Sequence, residues 1–214
     1  MQVFDKFPLA ASGWPYLLGY GFLAGVASAL EVWSLAIFLW LATAFIAFFF
    51  RDPARHSQAG PDAVLSPADG KVVVAEEMDC PLLPGGRALV VSIFMNLHDV
   101  HVNRAPMSGK VTAVNHFPGG YLPADRPQAM TKNERVETVL TDDQGRTLVV
   151  TQVAGLVARR IENRLLPGQE VQRGQRFGMI RFGSRLDLYL PPSSRLQVAL
   201  GQRVKAGVST IAEM

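Results

Sequence analysis

The chain has 214 residues, with 21 Lys and Arg against 18 Asp and Glu and a net charge of +3. That length supports one domain with its own core plus an appendage. The basic residues form no run or stripe, which argues against a nucleic-acid groove, and the single cysteine, Cys80, excludes an internal disulfide and a cysteine-based metal site.

Apolar residues crowd the first fifty positions. Trp14–Leu30 carries no charge, Glu31 interrupts, and Val32–Phe50 then runs nineteen residues without one. A helix needs about 20 apolar residues to cross a bilayer, so the second run is long enough and the first is borderline. The pair predicts an N-terminal hydrophobic helical hairpin over residues 1–50, spanning the bilayer or dipping into it; a buried hairpin of a soluble protein is the alternative. Lys6 precedes the first run, and Arg51, Arg55 and His56 follow the second. Both flanks are then cytoplasmic under the positive-inside rule, which places the chain at the inner membrane with the rest on the cytoplasmic side. The apolar region is too long for a signal peptide and no small-residue cleavage site follows Phe50.

Residues 51–63 are polar, with Ala, Pro and Asp, and read as a linker. From Val64 onward short β-branched runs alternate with Gly and Pro: Lys71–Val74, Ala88–Phe94, Gly109–Val114 and Thr147–Val153. This spacing predicts a mainly β domain over 64–214, a sandwich or barrel with few helices. One helix is expected at Gly155–Arg164, where Leu156, Val157 and Ile161 form an apolar stripe among Arg159, Arg160, Glu162 and Arg164. Two echoes run through the domain. Ser66–Val72 resembles Ala105–Val111, and Pro167–Gln175 resembles Leu200–Gly207. Such G-x-x-V-x-x-G turns are similar to those of biotinyl- and lipoyl-type barrels, and their glycines are read as turn formers rather than chemistry.

The residues capable of chemistry lie in separate segments. Gly183-Ser184 matters because a serine hydroxyl can attack the carbonyl before it, and Gly puts no side chain in the way. A serine nucleophile needs a base, and the base an orienting carboxylate. Asp69 stands in a Pro-Ala-Asp-Gly turn, and His98 and His101 lie three apart. If that segment is extended the two imidazoles face opposite ways, and if it turns they converge. Two histidines without acidic or cysteine ligands at matching spacing argue against a metal.

Four strings taken together resemble one family, the phosphatidylserine decarboxylases in their short membrane-anchored prokaryotic form: Ser66–Lys71 with its Pro-Ala-Asp-Gly, His98–Pro106 with its H-x-x-H, Asn133-Glu134-Arg135, and Arg181–Pro191 around Gly183-Ser184. The resemblance covers essentially the whole chain. It departs from the better-known Leu-Gly-Ser-Thr site in carrying Phe182 and Arg185 around the Gly-Ser pair. Gly207-Val208-Ser209-Thr210 imitates that string, but Ser209 follows Val.

The resemblance implies a proenzyme. His101, oriented by Asp69, activates Ser184, which attacks Gly183; the chain splits into a β chain, 1–183, and an α chain, 184–214, and Ser184 becomes a pyruvoyl group. That cofactor forms a Schiff base with phosphatidylserine and acts as electron sink while CO2 leaves, giving phosphatidylethanolamine. His98 is assigned to substrate contact or proton delivery. Arg181, Arg185, Arg104 and Arg135 are the candidates for the substrate phosphate and carboxylate. The implied partners are the phospholipid, an anionic membrane matched by the basic balance, and the self-derived chains, with a homo-oligomer left open. Two other readings stand beside it. A membrane-anchored serine hydrolase using intact Ser184, His101 and Asp69 lacks the Gly-x-Ser-x-Gly elbow. A non-enzymatic biotinyl-like binding module lacks a Met-Lys-Met-type lysine.

Overall fold

The computed structural model describes residues 8–156, 160–181 and 184–214, and its internal contacts divide the chain into residues 1–54 and 55–214. In the first unit a 3-10 turn, Ala11–Gly13, leads into α1, Trp14–Ala29, with a proline in its first turn. Glu31, with φ of 57°, reverses the chain, and α2 runs Trp33–Phe49. Small residues make the seam: Ala24, Ala27 and Ala36 bury together with Leu39, and the Trp40 indole donates to Ser28 Oγ at 3.3 Å.

The nineteen-residue apolar run is longer than the helix it forms. Val32 turns, and the Phe50 carbonyl instead accepts from Ala10 N–H at 2.7 Å beside a bridge between Leu9 and Arg51. A helix of 17 residues rises about 26 Å, short of the roughly 30 Å of a bilayer core. Among the described residues no helix is long and apolar enough to cross a membrane.

The second unit is mainly β, as expected. Among the described residues its strands are β1 (Ala63–Leu65), β2 (Gly70–Asp79), β3 (Arg87–Met95), β4 (Val102–Arg104), β5 (Gly109–Phe117), β6 (Arg135–Thr141), β7 (Thr147–Val153), β8 (Ile161–Asn163), β9 (Glu170–Val171), β10 (Arg176–Ile180), β11 (Ser184–Leu190), β12 (Arg195–Leu196), β13 (Arg203–Val204) and β14 (Thr210–Glu213), with one short helix, α3 (Ala129–Lys132). The helix expected at Gly155–Arg164 is not formed at its C-terminal end. Ile161–Asn163 is instead β8, paired antiparallel with Gly178–Ile180, so sheet pairing overrides the helical spacing; Val157–Arg159 lie outside the described residues. Residues before β1 are tied to the core by Arg173, which donates to the carbonyls of Ala59 at 2.9 Å and Ala63 at 3.0 Å.

The sequence echoes mark an internal two-fold. The large sheet runs β13-β2-β3-β11-β7-β6-β5-β9, and two three-stranded sheets run β1-β14-β12 and β4-β10-β8. Read from its two ends, the large sheet has the same organisation. The echoed segments pair in matching fashion: Gly201 N–H donates to Val72 O at 2.8 Å and Gly168 N–H to Val111 O at 2.7 Å, while Gly207 N–H reaches Ser66 O and Gly174 N–H reaches Ala105 O, both at 2.8 Å. At the centre, β11 and β7 pair Asp187 with Thr151 and Leu188 with Val150, a self-symmetric register. Gly70 and Gly109 are equivalent. Both have φ near 155°, at 154° and 157°, and a Cβ there would lie 2.2 Å from Phe94 O and 2.5 Å from Thr141 O.

One half therefore comprises β4 to β10, and the other β1 to β3 with β11 to β14. In the first of these, β6 and β7 form an ordinary hairpin closed through Asp142–Arg146. In the other, the matching hairpin of β3 and β11 has its turn replaced by the whole of the opposite half. The core between the layers is apolar, with Ile93, Val150, Phe177, Ile180, Leu186 and Leu188 all buried, each large side chain stabilising by about 1.5–3 kcal/mol.

Candidate active site

The candidate residues collect where that opened hairpin would have closed. Ser184 begins β11 opposite Met95, the last residue of β3, and Lys71 at the start of β2 pairs with Phe94. This register brings Asp69, the histidine segment after Met95, and Ser184 to one end of three adjacent strands. Ser184 is fully buried, and its hydroxyl donates to Met95 Sδ at 3.9 Å. Its preceding residue, Gly183, lies outside the described residues.

The histidine segment turns. Asp99 N–H donates to Asn96 O, and Asn96 N–H returns to Asp99 Oδ2, both at 2.9 Å. Arg203 holds Asp99 Oδ1. The turn gives the two histidines different surroundings. His98 is 65% exposed, with Nε2 3.8 Å from Asp99 Oδ1, whereas His101 is fully buried and its Nδ1 lies 2.9 Å from Asp99 O. A carbonyl only accepts, so Nδ1 of a neutral His101 carries the proton and Nε2 carries the lone pair, the tautomer a base requires.

Asp69 was expected to orient His101, but its contacts lie elsewhere. Its carboxylate meets the Arg55 guanidinium side-on, with Nη2 to Oδ2 at 2.7 Å and Nη1 on Oδ1, and accepts Ala206 N–H at 2.7 Å. The planar fork of Arg matches both oxygens, and the tautomer of His101 rests on the Asp99 carbonyl.

The predicted arginines divide in the same plain way. Arg185 follows Ser184 in a strand, so the two side chains leave opposite faces of the sheet. It is 1% exposed and donates to Asp187 Oδ1 at 2.5 Å and to Ser92 Oγ at 2.6 Å; it cannot share a substrate site with Ser184. Burial pushes the Asp187 carboxyl above its ordinary pKa, against the pull of Arg185 and Ser92. Arg135 donates to Glu137 at 3.0 Å and lies 4.3 Å over the Phe117 ring. Arg104 is buried and donates to Gly174 O at 3.2 Å, and Arg181 pairs with Glu162. The neighbouring Asn133 is a staple. Buried, it donates to Leu122 O at 2.8 Å and Ala154 O at 2.7 Å and accepts Leu122 N–H at 2.9 Å. Ser209, the imitation site, closes a turn by accepting Lys205 N–H at 3.0 Å.

Sequence reasoning missed a buried amide chain. Asn163 donates to Thr138 Oγ1 at 2.9 Å and to Gln152 Oε1 at 3.0 Å; Gln152 donates to Asn103 Oδ1 at 2.8 Å; Asn103 Nδ2 faces Met95 Sδ at 4.0 Å. Its one sequence signal was Gln152, a polar residue at a core position of the apolar run Leu148–Val153.

A family model described as phosphatidylserine decarboxylase matches residues 42–212. A phosphatidylserine decarboxylase proenzyme of Desulfotalea psychrophila is 45% identical, over 97% of this chain and 97% of the relative. Proenzymes of the same name from Magnetococcus marinus and Cupriavidus pinatubonensis are 43% and 44% identical, each over 96% of this chain and 95% of the relative.

Proposed function

The chain belongs to the phosphatidylserine decarboxylase family, and on that premise we propose that it cuts itself before Ser184 and then converts phosphatidylserine to phosphatidylethanolamine and CO2. The observation that carries the reading is the full burial of Ser184 at the start of β11, opposite Met95 at the end of β3, and of His101 in the segment that leaves that same strand end.

In the uncut chain His101 Nε2 takes the Ser184 hydroxyl proton, and the oxygen attacks the Gly183 carbonyl. The peptide C–N bond breaks as the C–O bond forms, and the nitrogen of residue 184 takes up a proton, giving an ester. Loss of the α-proton then expels Gly183 as a carboxylate, and water replaces the resulting amine as ammonia. The cut leaves residues 1–183 and 184–214, with a pyruvoyl group in place of Ser184. The site fits this group. The only described partner of the Ser184 hydroxyl is a thioether, a weak acceptor, so little is lost when that oxygen departs.

Once formed, the pyruvoyl ketone supplies a covalent anchor for the substrate amine and an electron sink for decarboxylation. His98, exposed on the turn, is assigned to proton delivery to the product. Asp69 and Arg55 hold the start of β2 beside the site. The apolar hairpin of α1 and α2 exposes large side chains such as Phe22, Phe38 and Leu41 and is assigned to the inner membrane, with residues 55–214 on the cytoplasmic side. Its helix length favours a dip into one leaflet over a full span.

Intact mass under denaturing conditions tests the reading. Two chains are expected, the smaller beginning at residue 184 with a carbonyl-reactive terminus. Ser184→Ala and His101→Ala should each remain one chain without activity, and His98→Ala should cut but turn over no lipid. A single full-length chain that decarboxylates phosphatidylserine overturns the mechanism.

A further inference from the structure

The amide chain ends in an underused donor. Asn103 is fully buried, and its orientation is fixed because Oδ1 accepts from Gln152. Among the described residues, its NH2 group has only the Met95 sulfur for a partner, at 4.0 Å. Buried N–H groups are ordinarily satisfied by oxygen, and a thioether is a weak acceptor. That same sulfur is the partner of the Ser184 hydroxyl, at 3.9 Å.

The fold makes room for this arrangement. Gly178 pairs with Asn103 on one side and Asn163 on the other. A Cβ at Gly178 would lie 2.1 Å from Glu162 O and 3.0 Å from Gln152 Nε2. The missing side chain lets Gln152 reach from the large sheet into the small one, where it holds both asparagines.

Building on the proposed self-cutting chemistry, we propose that Asn103 is the hydrogen-bond donor reserved for oxygen at residue 184, during the cut and on the carbonyl the cut creates. Gln152 and Asn163 are its positioning residues. Asn103 keeps both its protons. It stabilises negative charge as it builds on Ser184 Oγ during the cut and, once that atom has left with Gly183, on the water-derived carbonyl oxygen when a nucleophile adds there, in a buried site where a fixed neutral donor is effective.

The test compares wild type, Asn103→Ala and Thr147→Val, the last breaking the Thr141–Thr147 hydroxyl contact beside the β6–β7 turn, outside the amide chain. Intact mass follows the cut, and an aryl hydrazine measures the reactivity of the new carbonyl. In folded Asn103→Ala the cut is expected to slow, and hydrazine reaction of the cut fraction to fall about 100-fold, the scale of one lost oxyanion donor. The Thr147→Val variant should match wild type, and the lipid KM of Asn103→Ala should hold while kcat falls. If Asn103→Ala does not fold, Asn103→Asp, which keeps the acceptor for Gln152 and removes the N–H, should show the same loss. Cutting and hydrazine rates within about twofold of wild type in the folded variant, or equal losses in Thr147→Val, overturn the assignment. A wild-type chain that is uncut or inert to hydrazine instead refutes the pyruvoyl reading on which it rests.

Discussion

Replacing Arg185 by Met should destabilise the protein strongly while Arg185→Met/Asp187→Leu should not. Arg185 is 1% exposed and Asp187 0%, with 2.5 Å between Nε and Oδ1. Removing one partner of such a pair leaves an uncompensated buried charge and costs about 3–5 kcal/mol, whereas replacing both by apolar residues is often neutral or stabilising. At roughly 2–4 °C per kcal/mol for a domain of this size, the single variant should melt about 6–20 °C lower. The loss should also depend on pH. Burial already raises the Asp187 carboxyl pKa, and without Arg185 it rises further. A raised carboxyl pKa means that the folded state binds the proton more tightly. The penalty is absent below the unfolded value of 3.8 and grows as pH rises toward the folded pKa. Differential scanning calorimetry of both variants at pH 5 and pH 8 measures this directly. If the double variant melts as low as the single one, or if Arg185→Met leaves the melting temperature unchanged while raising the lipid KM, the structural assignment of Arg185 is wrong.

Three further outcomes follow from the geometry. Gly178→Ala forces a Cβ to 2.1 Å from Glu162 O, and overpacking of this kind should cost about 1–3 kcal/mol in urea unfolding. Asn133→Ala removes three hydrogen bonds from a buried amide; a loss of about 3 kcal/mol, with faster amide exchange at Leu122, is expected. At Asp142, burial alone would raise the carboxyl pKa, but the bonds from Arg146 and Gln144 outweigh it and hold it below its ordinary value. A lowered pKa contributes stability above the unfolded value that is lost as pH falls through the folded one, so the urea midpoint of wild type should drop more steeply in acid than that of Arg146→Ala.

The sequence reading located the strands and the chemistry-bearing segments but could not choose their partners. Val72, Val111 and their neighbours announced strands because β-branched runs between glycines have few other uses. The echoes of Ser66–Val72 and Pro167–Gln175 were legible as turns. That each pairs with a fixed partner, Val72 with Gly201 and Val111 with Gly168, is a long-range fact that local spacing does not encode. The same limit hid Arg55 as the partner of Asp69, since fourteen residues separate them and Arg55 stood in a stretch read as linker. The alternation that puts Arg185 behind Ser184 was available from the strand pattern, but it decides the matter only once Ser184 is seen to begin β11 rather than to end a loop. The stripe at Leu156 and Ile161 misled because helical spacing cannot report that Gly178 offers a strand edge to Asn163.

The opened hairpin of β3 and β11 has a consequence for timing. Ser184 reaches its place only when β11 lies between β3 and β7, and the strands that finish this half, β13 and β14, pair with β2 and β1 near the start of the domain. A chain still emerging from the ribosome holds the serine but not the strands that lock it in place. The proposed cut is therefore a readout of a completed domain: a chain stopped before Thr210 should keep its Gly183-Ser184 bond, and one that has formed β14 should lose it without losing a strand.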